Sequence, residues 1–198
     1  MAEYWLPKSF FKQNPLKEMS VAKISNFSLT VNFNDALQAK MEEILDEHIS
    51  DERHVQVAKD KEEIEALDSG EAVLNYMRKN HDNLADPMFW KKALTLQEEA
   101  VPLILMRFKT TGQDRFVEHA FRILAKADIK YTRQLFEEYE EIRNPYAQST
   151  ACLLFGEHEM EEAVPLLMKE YKRFQNMYPD EDLDQAPLLA LYILYGEA

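Results

Sequence analysis

The chain has 198 residues, 46% hydrophobic and 11% aromatic, and a formal charge of −13. That is apolar material enough for one packed domain, while so acidic a surface repels phosphate backbones and argues against nucleic acids and anionic membranes as partners. Four glycines without a Gly-x-Gly-x-x-Gly or Walker pattern speak against nucleotide-binding α/β folds, and a single cysteine, Cys152, permits no internal disulfide.

Residues 1–33 read as an irregular arm. Trp5, Phe10 and Phe11 lie between Lys8, Lys12 and Lys17, with no clean period. From 24 to 33 the alternation of Phe27, Leu29, Val31 and Phe33 with polar residues predicts a short strand, a minor β embellishment on an all-α chain. Its expected partner is the Val55-Gln56-Val57 run or an edge in a second copy. Asn34 opens a helix with Leu37, Met41, Ile44, Leu45, His48 and Ile49 on one face. A charged stretch, 51–65, follows. Asp68-Ser69-Gly70-Glu71 reads as a capping box before a helix bearing Val73, Leu74 and Met77. Asp86-Pro87 starts another, with Phe89, Trp90, Ala93 and Leu94.

Beyond residue 96 the pattern becomes regular, predicting helices over 97–110, 114–127, 129–142, 145–155, 159–176 and 184–195. Glu98–Leu103 and Glu161–Leu166 are both EEAVPL, and Leu153–Glu157 echoes Ile193–Glu197. Gly156 is expected to end its helix in the left-handed region. Such repetition predicts stacked helical hairpins. The chain is thus one domain, 1–198, with an arm over 1–33, N-terminal helices over 34–96 and hairpins over 97–198.

The stretch 144–171 resembles HEAT-type and related armadillo-like repeats. The residues that carry the likeness are Asn144, Pro145, Thr150, Ala151, Leu154, Gly156, Glu162, Ala163, Val164, Pro165, Leu166 and Leu167. The resemblance is strongest in this one hairpin and covers 97–198. It implies a right-handed α-α superhelix that binds other macromolecules on a concave face. The family often places an arginine soon after the Asn/Asp-Pro pair, where this chain has Ala147 and Gln148.

Candidate chemistry is sparse. Glu157-His158-Glu159 lacks the second histidine of a zinc-protease helix, and a solvated acidic helix start accounts for it. His48, Glu52 and His54 form the metal candidate, through i,i+4 spacing of the first two. His81 and His119 have no sequence neighbour that suggests a relay, and His119 is expected half-buried. No cofactor is expected. Glu137, Glu138 and Glu141, with Tyr131 and Tyr139 as aromatic anchors, are the expected contact residues for a protein partner of basic character. The helix over Ala186–Tyr195 is apolar nearly all round and would suit self-association. The expected function is a cytoplasmic, non-enzymatic interaction or scaffold module, in a chain without a signal-peptide pattern or membrane-length apolar run. The alternative is an enzyme or ligand-binding protein with a pocket between the N-terminal segment and the stack.

Overall fold

The computed structural model describes residues 49–195. The chain divides into two units, Met1–Ile44 and Leu45–Ala198, and all described residues belong to the second. The expected arm and strand over 1–33 and most of the helix from Asn34 lie outside the described residues.

Among the described residues the structure is all helix, with no strand. The α-helices are α1 (Asp51–Glu65), α2 (Gly70–Tyr76), α3 (Asp86–Thr95), α4 (Gln97–Phe108) and α5 (Asp114–Leu124). They continue with α6 (Ile129–Glu137), α7 (Pro145–Glu157), α8 (Val164–Met177) and α9 (Gln185–Tyr195). Single 3₁₀ turns at Asn83–Ala85, Tyr139–Glu141, Glu161–Ala163 and Asp182–Asp184 lead into or out of them.

Several starts have a local cause. Asn144 accepts the Tyr146 N–H ahead of Pro145, and Asp128 accepts that of Lys130. At α2 the cap is Ser69, bonded to Ala72 N, and the glutamate that completes it comes from another helix: Gly70 N–H donates to Glu99 Oε2 at 3.2 Å. The charged stretch 51–65 is helix α1, so Val55-Gln56-Val57 is no strand. Its buried stripe is Val57, Asp60 and Ile64. Asp60 is satisfied inside by Gln56 Nε2 at 2.7 Å and Asp82 N at 2.8 Å, which removes the cost of burying a carboxylate without partners.

The helices pack in two alternating rows. α1 lies on α3, α3 on α5, α5 on α7, and α7 on α9; α2 lies on α4 and α4 on α6. α6 meets the 3₁₀ turn ahead of α8 through Arg133–Glu162 at 3.4 Å. Many bonds between elements therefore join residues one rung apart, such as Gly70 to Glu99 (29 residues), Asn144 to Thr111 (33) and Ser149 to Leu183 (34). The two EEAVPL copies share one burial pattern, with exposed glutamates and proline, buried alanine and valine, and a half-buried leucine.

Gly156 does not end α7. It lies inside the helix, and the left-handed residue is Glu159, at φ 52°. What requires glycine is proximity: a Cβ at Gly156 would stand 2.6 Å from Ala190 Cα. The same holds at Gly70, where a Cβ would meet the Glu99 carbonyl at 2.6 Å. Large buried side chains, including Phe89, Phe108, Phe155 and Phe174, fill the space between rows, each stabilising by roughly 1.5–3 kcal/mol.

Gly156→Ala should lower stability by about 1–3 kcal/mol through overpacking. Gly112→Ala, with nothing within 4 Å of its Cβ position, should change it by less than about 0.5 kcal/mol. Urea unfolding followed by far-UV circular dichroism checks both.

Candidate functional site

The expected contact residues fall on α6 and the 3₁₀ turn after it. Tyr131 and Tyr139 are interior residues, 5% and 3% exposed, rather than surface anchors. Their hydroxyls explain why. Tyr131 Oη bonds Gln97 O at 3.4 Å, and Tyr139 Oη donates to Glu170 Oε2 at 3.0 Å. Burial pushes the Tyr139 phenol far above its ordinary value, with Cys152 and Glu170 adding to the effect.

Glu138 and Glu141 share the Lys109 ammonium at 2.7 and 2.8 Å. Hydrogen bonds from Lys109, then Gln134, hold the Glu138 carboxyl below the usual range. Glu140 pairs with Lys169 and Glu98 with Lys130, each at 2.9 Å. Glu137 is exposed and makes none of these pairs. The acidic run is therefore partly a strut between helices of one row.

Behind it lies a polar core. Glu170, 2% exposed, accepts from Tyr139 and from Arg173 Nε at 2.6 Å, and Arg173 Nη2 also bonds Gln148 Oε1 at 2.6 Å. Gln148 in turn donates to Ile142 O at 2.8 Å. Gln148 thus links the loop before α7 to Arg173 on α8. Cys152 is fully buried beside Tyr139, and burial pushes its thiol up to about 12, as an inert core residue requires.

Of the metal candidates, His48 lies outside the described residues. Glu52 and His54 sit on α1 two residues apart, a spacing that turns them to different faces. Another cluster was not legible as one: His81, Asp86 and His119, with potential ligand atoms within 4.8 Å of one another. The sequence separates the two histidines by one rung, and the fold sets their rings 5.3 Å apart. His119 is buried, not half-buried.

His81 Nε2–H meets Asp86 Oδ1 at 2.8 Å, with the ring stacked on Tyr76 at 4.4 Å. Its Nδ1 is buried without a partner, as is the Tyr76 hydroxyl. Trp90 Nε1–H donates to His119 Nδ1 at 3.0 Å, and Arg115 Nε–H points at Nε2 from 3.4 Å. Arg115 also donates to His81 O at 2.8 Å and Asn80 Oδ1 at 3.0 Å.

This donor set is wrong for a cation. Ligation through His119 Nε2 would move the ring proton to Nδ1, against the Trp90 N–H, and would set the ion beside a guanidinium. The cluster is a hydrogen-bonded junction that ties α3 and the loop before it to α5.

An open hollow of about 590 Å³ nearby is lined by Asn75, Arg78, Lys79 and Gln113. Its cations follow the end of α2, where they complement the helix dipole, and Lys79 pairs with Glu63.

No family model, curated protein or solved structure matches the chain. No described helix is long and apolar enough to cross a membrane.

Co²⁺ should give no tetrahedral absorption bands with the purified protein, and Zn²⁺ should not raise its Tm; stoichiometric zinc lost on His81→Ala would contradict the assignment. Glu170→Ala should cost about 1–3 kcal/mol, because the buried Tyr139 hydroxyl and the half-buried Arg173 guanidinium lose their shared acceptor, read as the shift in urea midpoint.

Proposed function

We propose that the described helices are a HEAT-like stack of hairpins serving as a non-enzymatic protein-interaction module, with a basic partner docking along the acidic side of the α4–α6–α8 row. The observation that carries this reading is the packing order, in which helices from α1 to α5, and α7, rest on the one two places later. The matching burial of the two EEAVPL copies supports it. Repeats stacked in this way expose long continuous surfaces and are well suited to binding extended partners.

The contact residues are revised from the sequence expectation. Tyr131 and Tyr139 are replaced by exposed carboxylates: Glu137, Glu140, Glu141 and Glu162. Glu140 and Glu141 retain 78% and 62% side-chain exposure even while paired. Exposed pairs of this kind are weak, so a cationic partner can compete for their carboxylates.

A fluorescent Lys/Arg-rich peptide should bind the wild-type chain with an affinity that falls with salt. Glu137→Lys combined with Glu141→Lys and Glu162→Lys should weaken binding by about tenfold or more, at unchanged helicity. Equal binding by both proteins would refute the docking face.

A further inference from the structure

The Trp90–His119–Arg115 arrangement carries one more consequence. Neutral imidazole has one donor and one acceptor nitrogen, whereas imidazolium donates from both. Both nitrogens of His119 already face N–H groups, Trp90 Nε1 at Nδ1 and Arg115 Nε at Nε2, and indole and guanidinium cannot accept. A protonated His119 has nowhere to place its second hydrogen.

The surroundings offer little relief. From the loop before α3 comes the His81 ring. From α3 come Asp86, Trp90 and the Phe89 ring edge-on at 5.7 Å, and from α5 itself Arg115. Asp86 is the anionic group here, and its Oδ1 is held by His81. Tyr76, on α2, stacks on the far partner, His81.

We propose that His119 is an acid-operated latch on the α3–α5 junction: uptake of a proton breaks the bond from Trp90, sets imidazolium against Arg115, and opens the junction while the α7–α9 end stays folded. Burial chiefly holds the His119 ring below its ordinary 6.5, at about 4; Asp86 opposes this, and His81 and Arg115 add to it. The sign follows. Between these values the closed junction keeps the ring neutral and the open one protonates it, so the stabilisation is complete above 6.5 and is lost as pH falls toward 4.

The chain has two tryptophans, so Trp5→Phe leaves Trp90 as the sole indole reporter. In that background Trp90 fluorescence should change between pH 6.5 and 4, before far-UV helicity declines. Adding His119→Gln, whose amide oxygen accepts from Trp90 and takes no proton, should abolish the early change; His158→Gln should keep it. Fluorescence and helicity moving together in all three proteins, or an early change that survives His119→Gln, would overturn the latch. Should the glutamine variant not fold, ring-proton NMR of the Trp5→Phe protein decides. His119 titrating near 6.5 with the Trp90 indole N–H unmoved refutes the proposal, and His119 titrating together with loss of that signal supports it.

Discussion

The constraint on which the rest depends is that a helix here is covered chiefly by the helix two places along the chain. None of these helices is long enough to bury its apolar stripe against a single neighbour, and isolated helices of such length are marginal in water. Alternation into two rows gives the central helices α3, α4 and α5 a row neighbour before and after them. Where two backbones must come close, the chain uses its scarce glycines: Gly156 against Ala190, Gly70 against the Glu99 carbonyl. The alanines at 147, 151 and 163, all fully buried, extend the same principle.

Polar groups are sorted by depth. At the surface of one row, lysines and glutamates alternate across rungs, as in Glu98–Lys130 and Lys109–Glu138, and contribute modestly because water screens them. In the interior the polar groups are few, and outside the His81–His119 junction all but Thr132 Oγ1 and Glu157 Oε1 are matched among the described side chains. Glu170 is held by Tyr139 and Arg173, Asp60 by Gln56 and the Asp82 amide. Such networks fix register, since a sliding helix would strand a buried charge. The His81–His119 junction differs in kind: it retains two orphaned polar atoms and a histidine flanked by donors.

Much of the helical layout was written in apolar spacing and caps. Asn144 and Asp128 mark starts that the structure keeps, because capping is a local interaction between residues two or three apart, and Asp86-Pro87 opens α3 with proline in the first turn and no side-chain cap. Helix α1 was hidden because the middle member of its buried stripe is Asp60, whose partner Asp82 lies on the loop after α2. Gly156 misled for a related reason: glycine ends helices when it supplies a left-handed turn, but here it supplies room. Tyr131 and Tyr139 looked like surface aromatics since their hydroxyl partners, Gln97 and Glu170, are distant in sequence. His81 and His119 could not be paired from sequence for the same cause. Contacts one rung apart are invisible until the rung length is known.

That rung length has a kinetic side. When most tertiary bonds bridge some thirty residues, as from Lys109 to Glu138 or Trp90 to His119, the chain closes only short loops on the way to its native contacts, and loop closure is the slow, entropic part of folding. Order can begin at any adjoining pair of hairpins and spread outward, much as a zip closes from wherever the teeth first mesh. Loss proceeds in reverse from whichever margin is weakest, so damage near one margin spares the segments farther along.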